Sequence, residues 1–274
     1  MKNPLDLILG FFDGLHIGHK LLIDQTFNNP FNVLTFQNIP NKKNNFLYSF
    51  EERKNQLRIQ GAKQIFCMDI AKNNMTAEEF CKKLLSNFIP FKKIIVGSDY
   101  LFGSDQKNVI FLKSFINDIT IVDRSSISTS KIKKLVGENN FSELNKLLLE
   151  PYYRTGKVVS GYGHGKKLGF PTANIPIEPN LISLSEGSYA TKIVIGNKTY
   201  LGVTFVGKSK TLLKQNSFIE THIINFHGNL YGQIIKIIFY KFLRTNVKFS
   251  SLDLLKKAIQ NDLNQSFNFF QNLN

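Results

Sequence analysis

A chain of 274 residues that is 42% hydrophobic carries enough apolar mass for about two cores of ordinary domain size. Its formal charge of +15 raises the question of a nucleic-acid partner, because lysine and arginine that neutralise phosphates supply most non-specific affinity. Only five arginines occur and the lysines are scattered rather than gathered in a tract, so no nucleic-acid role is expected. No apolar run approaches the roughly 20 residues of a spanning helix, and no membrane association is expected either. Cys67 and Cys81 lie outside any CxxC or Cys/His cluster and read as small buried apolar groups in a reducing cytoplasm.

From Leu5 to about Val122, apolar runs alternate with amphipathic stretches. Residues 5–12, 31–36, 64–68, 93–97 and 119–122 predict strands, and residues 19–26, 49–60, 76–87 and 107–116 predict helices. In the third helix, Phe80, Leu84 and Leu85 fall at helical spacing, with Thr76 as N-cap and Glu79 completing a capping box. Such alternation implies a parallel sheet with helices on both faces and ligands beyond the carboxyl ends of the strands. A helical stretch over 132–149 leads to Glu150 and Pro151, where the pattern changes. Strands follow at 157–160, 189–195, 199–206, 218–226 and 234–243, separated by turns such as Gly196-Asn197, which suggests a small closed β-barrel. Leu252, Leu255, Ile259, Leu263, Phe267 and Phe270 then recur every three or four residues as the core-facing stripe of a terminal helix, capped by Ser250 or Ser251. The expected fold is α/β followed by all-β, with domains at 1–148 and 149–274.

GFFDGLHIGH occupies Gly10 to His19, where the first strand ends. Gly14 permits a tight exit from the strand, His16 and His19 share one face of the first helical turn, and Gly18 leaves that face bare for phosphate oxygens. The segment resembles the opening motif GxFDGxHxGH of the FMN adenylyltransferase module in bacterial bifunctional riboflavin kinase/FAD synthetases, met at Gly10, Phe12, Asp13, Gly14, His16, Gly18 and His19, and the resemblance makes Gly10, Phe12, Asp13, Gly14 and Gly18 contacts of the ATP phosphates. The resemblance implies a Rossmann-like nucleotidyltransferase domain in which His16 and His19 stabilise charge on ATP phosphates while the FMN phosphate attacks the α-phosphorus. VGSDYLFG at 96–103 is similar to the family's VGxDFxFG, which makes Asp99 a nucleotide or flavin contact. ISTSKIK at 127–133 stands for ISSTxIR, so that Ser128, Thr129 and Ser130 would bind phosphates and Lys131 or Lys133 would add positive charge. Lys133 and Leu101 replace arginines of the family pattern, and TFDPHP is reduced to the segment from Thr35 to Pro40.

The second motif, GKVVSGYGHGKKLGFPTAN, runs from Gly156 to Asn174. Its glycines permit close approach to phosphates and Pro171 stiffens the loop that presents Thr172 and Asn174. It is similar to the riboflavin kinase signature GxVxxGxxxGrxLGFPTAN. That likeness implies phosphate contacts from Gly161, Gly165, Lys166, Gly169 and Pro171, a Mg2+ ion held by Thr172 and Asn174, and Glu220 as the base for the flavin 5'-hydroxyl. Arg244 in FLRTNVKF matches a region near the flavin, with Asn246 in place of the family's glutamate. Phe205 and Lys210 replace an asparagine and a proline in a loop pattern. The resemblance covers nearly the whole chain and implies a cytoplasmic bifunctional enzyme that uses ATP and Mg2+ to make FMN from riboflavin and FAD from FMN. The alternatives are an adenylyltransferase with a weak or vestigial kinase half, or a non-catalytic flavin- or RNA-binding regulator. Intact His16, His19, Thr172, Asn174 and Glu220 weigh against the last.

Overall fold

The computed structural model describes residues 4–39, 45–161, 165, 168–208 and 217–273. The chain forms two compact units, divided at Thr129/Ser130.

In the first unit, β1 (Asp6–Leu9), β2 (Phe31–Gln37), β3 (Ala62–Asp69), β4 (Ile94–Gly97) and β5 (Ile119–Val122) form one sheet in the order β3-β2-β1-β4-β5. Every pairing is parallel. Leu7, Ile8 and Leu9 are buried in succession, as are Ile94, Ile95 and Val96. Such runs, rather than alternation, mark strands covered on both faces. The helices are α1 (Ile17–Asp24), α2 (Phe50–Ile59), α3 (Ala77–Lys83) and α4 (Val109–Lys113). Ser49 with Glu52, and Thr76 with Glu79, close reciprocal capping boxes on α2 and α3. The helix expected to run to residue 87 changes at Leu84 into a π-helical turn, Leu84–Phe88, which keeps Leu84 in the core and turns Leu85 to solvent. Cys81 is buried, whereas Cys67 is exposed on the edge strand β3, contrary to the expectation that both are core groups. The sheet's order reverses about β1, so the carboxyl ends of β1 and β4 flank the switch point at which such sheets bind ligands.

In the second unit, α5 (Thr129–Gly137, whose first residue belongs to the first unit) and α6 (Phe141–Leu147) precede six strands. These are β6 (Tyr153–Lys157), β7 (Thr172–Pro176), β8 (Gly187–Ile195), β9 (Lys198–Lys208), β10 (Ser217–Ile223) and β11 (Ile234–Thr245), ordered β6-β11-β8-β9-β10-β7. All neighbours in this order run antiparallel, and the Val159 N–H donates to the Asn174 carbonyl at 2.9 Å just past β6, which nearly closes the barrel. The first barrel strand starts at Tyr153, four residues earlier than its apolar pattern suggests, because β6 buries Tyr153 and Arg154 side by side instead of alternating. Inside, Ile193, Ile219, Ile237 and Phe239 surround a row of fully buried threonines, Thr191, Thr204 and Thr221, whose hydroxyls bond in series at 2.8 Å. The terminal helix α7 (Leu252–Gln271) is capped by Ser251. Its most buried residues are Asp262, Ser266 and Phe270, while Leu252 and Phe267 of the expected stripe are exposed. Leu255, Ile259 and Leu263 of that stripe are half-buried, and two polar anchors join them: Asp262 pairs with Arg244 of β11, and the Ser266 hydroxyl donates to the Gly202 carbonyl of β9 at 3.1 Å. Among the described residues, no helix is long and apolar enough to cross a membrane.

Candidate functional site

The first site is built where β1 ends. The turn after Leu9 carries Phe12 in the left-handed region (φ 56°), a conformation that a bulky residue holds only when its surroundings impose it. Those surroundings are specific. The Phe11 carbonyl accepts from Thr35 Oγ1 at 3.1 Å and from Arg53 Nη1 at 2.7 Å, and the Arg53 guanidinium lies 4.4 Å over the Phe11 ring. Asp13, expected to contact the nucleotide, is 2% exposed, and its Oδ1 accepts from the Leu47 and Tyr48 N–H groups at 2.8 and 3.3 Å. Its carboxylate ties the turn to the segment that precedes α2. The sequence reading missed Arg53, which lies 42 positions from the carbonyl it binds.

At the start of α1 the two histidines cap each other's turn. His16 Nδ1 accepts from the Gly18 N–H at 3.1 Å, and His19 Nδ1 accepts from the His16 N–H at 3.5 Å. The rings stack with centroids 3.9 Å apart. Burial lowers the His16 pKa to about 4, and burial with the neighbouring His16 lowers that of His19 to about 3, partly offset by a hydrogen bond that the His19 ring donates to the Gly14 carbonyl. Both imidazoles are therefore neutral at pH 7, and with Nδ1 accepting, His16 carries its proton on Nε2. Gly18 is needed for a different reason from the one its position suggests. Its N–H is taken by His16, and a Cβ there would lie 2.9 Å from Ser125 Cβ and 3.0 Å from the His16 ring. Gly14 (φ 82°) makes the left-handed turn expected of it.

These elements border a cavity of about 880 Å³ lined by Gly10, Phe12, His19, Gly97 and Asp99. It lies at the carboxyl ends of β1 and β4, where the sheet order predicts. Its deeper wall is aromatic: Phe36, Phe80, Tyr100 and Phe102 line it, the last two stacked at 5.8 Å. At the rim Asp99 pairs with Arg124 at 3.5 Å, and Leu101 is largely exposed. Thr129 Oγ1 donates to the Asp13 carbonyl at 3.4 Å, which brings the start of the ISTSKIK segment to the glycine turn. Ser128 is half-buried beside it, and Ser130, Lys131 and Lys133 occupy the first turns of α5.

The second site is a strand pair. Glu220 of β10 stands opposite Asn174 of β7, and His222 stands opposite Thr172. Because strand side chains alternate, these four share one face. The intervening residues Ile219, Thr221, Ala173 and Ile175 are all buried, so that face is the outer one. Phe205 of β9 faces Glu220 from the other side. Gly161 passes so near Asn174 that a Cβ would lie 2.4 Å from its amide nitrogen, and a Cβ at Gly165 would lie 2.4 Å from the Phe170 carbonyl. Gly169 adopts φ 91° and Pro171 leads directly into β7. Lys166 and Lys210 lie outside the described residues.

The hydroxyl and amide oxygens of Thr172 and Asn174 are the hard donors that Mg2+ prefers. Among the described residues, no cluster of three or more His, Cys, Asp or Glu could hold a metal. Arg244, which the resemblance puts near the flavin, holds the Asp262 carboxylate through Nε and Nη2 at 2.9 and 2.8 Å, and its Nη1 donates to the Thr245 carbonyl at 3.3 Å. Its guanidinium fastens α7 to β11.

Residues 2–134 match the FAD synthetase family and residues 148–270 the riboflavin kinase family. A trifunctional protein RibF/MnmA of Mycoplasmoides gallisepticum is 42% identical over 98% of this chain, which spans 41% of that relative. A bifunctional riboflavin kinase/FMN adenylyltransferase of Mycoplasma pneumoniae is 35% identical over 96% of this chain and 97% of its own length. A crystal structure named a macrolide-efflux protein from Streptococcus pneumoniae superposes with a TM-score of 0.86 at 26% identity, over 98% of this chain and 95% of that one. With both family matches in order and a relative alike over nearly the full length of both proteins, the chain belongs to the bifunctional riboflavin kinase/FMN adenylyltransferase family.

Proposed function

We propose that the two units act in sequence on one flavin. The barrel transfers the γ-phosphoryl group of ATP to the 5'-hydroxyl of riboflavin, giving FMN. The parallel-sheet unit then transfers the adenylyl group of a second ATP to the FMN phosphate, giving FAD and pyrophosphate. The observation that carries the kinase half is the register that sets Glu220 opposite Asn174 and two residues from the partner of Thr172. A hydroxyl that attacks phosphorus must lose its proton, and Glu220 is the carboxylate on that face to accept it. Thr172 and Asn174 would hold Mg2+, which when bound neutralises charge on the ATP phosphates.

For adenylyl transfer, the FMN phosphate oxygen bonds to the α-phosphorus as the bond to the pyrophosphate oxygen breaks. His16 and His19, at the start of α1, meet the departing phosphates as hydrogen-bonding imidazoles rather than preformed cations. Gly10, Phe12 and Gly14 shape the turn beside them, and Ser128, Thr129, Ser130, Lys131 and Lys133 supply donors to phosphate. The aromatic wall of the 880 Å³ cavity suits the flavin ring, with Asp99 at its rim. The free Cys67 and Cys81 fit the reducing cytoplasm as the place of this chemistry. A weak kinase half is the second reading, favoured by Phe205 opposite Glu220 and by Lys210 and Asn246, which depart from the family pattern. Incubation of the purified chain with riboflavin, ATP and Mg2+, followed by chromatography for FMN and FAD, separates the two. Riboflavin consumed to FAD supports the first reading, and FAD formed only from supplied FMN supports the second.

A further inference from the structure

His222 lies on the outer barrel face, opposite Thr172 and two residues along β10 from Glu220. Its Nδ1 is 2.9 Å from the carbonyl oxygen of Pro171, and its ring meets Phe170 edge-on at 5.7 Å. A carbonyl only accepts, so Nδ1 carries the hydrogen and the imidazole is the donor. Pro171 has no N–H of its own and is the last residue before β7 begins at Thr172. The bond therefore fixes the peptide that delivers the Thr172 hydroxyl to its place beside Glu220.

We infer that His222 is a positioning residue of the kinase site. Through the Pro171 carbonyl it holds the entry of β7 so that Thr172 and Asn174 present their oxygens to the nucleotide and its cation. The inference rests on the reading of Thr172, Asn174 and Glu220 as that site. Two features separate it from general packing: among the described residues the ring hydrogen-bonds through Nδ1 and not through Nε2, and the bonded atom belongs to the residue that immediately precedes Thr172. Protonation of the ring leaves the Nδ1–H donor intact, so the role asks for a directed donor and for no titration. Glu220 is the acidic group two positions away on the same strand, and it alone carries the proton transfer in this account.

The test uses the full chain with His222→Ala, His222→Asn, His222→Gln and Glu220→Gln. Each variant is assayed for riboflavin phosphorylation across pH, for adenylylation of supplied FMN, which reports on the first unit, and for its thermal melt, which reports on the fold of the barrel. The Asn amide nitrogen stands where Nδ1 stood, whereas that of Gln stands nearer the place of Nε2. Removal of this hydrogen bond is expected to raise the KM for ATP with Mg2+ by roughly tenfold in His222→Ala, with kcat falling less. His222→Asn is expected to return KM to within about threefold of the parent, the scatter of a single well-placed bond, and His222→Gln is not. The acid limb of the kcat profile should be the same in His222→Asn as in the parent. Parental KM in the Ala variant, or rescue by Gln as good as by Asn, overturns the inference. Loss of the acid limb in His222→Asn also overturns it, since the ring would then be taking a proton. A fully active Glu220→Gln would instead overturn the reading of the site on which the inference stands.

Discussion

The two stacked imidazoles make the first site sensitive to acid. In the unfolded chain each histidine titrates near 6.5, while burial lowers His16 to about 4 and His19 to about 3 in the fold. The unfolded chain thus takes up protons first as pH falls, so the stabilisation is fully present above about 6.5 and declines toward pH 4 and below. Between pH 6.5 and 4.5, His16 alone accounts for about 2 kcal/mol of lost stability. Thermal melts should show the parent losing Tm over this window and His16→Asn/His19→Asn losing less; parallel curves would contradict the neutral, buried state of the pair. His16→Ala and His19→Ala are each expected to slow adenylyl transfer by about two orders of magnitude, as loss of an oxyanion donor does, measured as FAD formed from supplied FMN. At this scale the motifs told which residues gather and said less about how. The spacing brought His16 to His19 and the PTAN run to the barrel face. Nothing local shows that Asp13 turns inward to Leu47 and Tyr48, because those partners lie more than 30 residues away.

The Arg244–Asp262 pair decides how α7 sits on the barrel. Asp262 is nearly fully buried and Arg244 grips it through two nitrogens, so removing one partner leaves the other without its counter-charge. Arg244→Met should lower stability by about 3 kcal/mol, read from denaturant unfolding, and Arg244→Met with Asp262→Leu should recover part of it. If Arg244 served the flavin instead, the single variant would raise the KM for riboflavin while leaving the unfolding midpoint unchanged. Apolar periodicity sees helices and strands through their hydrophobic residues, which is why it found α7 and its buried Phe270 but not the anchors Asp262 and Ser266, which are polar. The same limit hid β7, whose Thr172 and Asn174 read as loop, and started the barrel late, since β6 opens on Tyr153 and Arg154. Capping was more readable. Thr76 with Glu79 depends on residues three apart, and that geometry is local.

At the scale of the whole chain, the change of pattern near Pro151 suggests a boundary at 148/149, while the compact units divide at Thr129/Ser130. The difference is α5 and α6. Phe141 of α6 is buried among Tyr152, Tyr189 and Phe239, with ring centroids 5.6 to 6.0 Å away, and Asn145 bridges the Phe239 carbonyl and the Tyr152 N–H. A barrel fragment that starts at residue 139 should therefore melt cooperatively and phosphorylate riboflavin, and one that starts at 149 should melt at least several degrees lower, as loss of a buried aromatic requires. Equal melting temperatures would remove α6 from the barrel's core. Under the proposed function, FMN made by the second unit is the substrate of the first, although the matches run FAD synthetase then riboflavin kinase along the chain.

The central claim is that this chain carries two separable transfers, with Glu220 serving only one. The most direct measurement compares the parent and Glu220→Gln, each given riboflavin or FMN with ATP and Mg2+, with flavins resolved by chromatography. The account expects the parent to make FAD from either flavin. Glu220→Gln should lose at least about a hundredfold in turning over riboflavin, the scale of general-base catalysis, and make FAD from FMN at the parental rate. Loss of less than about tenfold with riboflavin, well short of that scale, or an equal loss with both flavins, would contradict it.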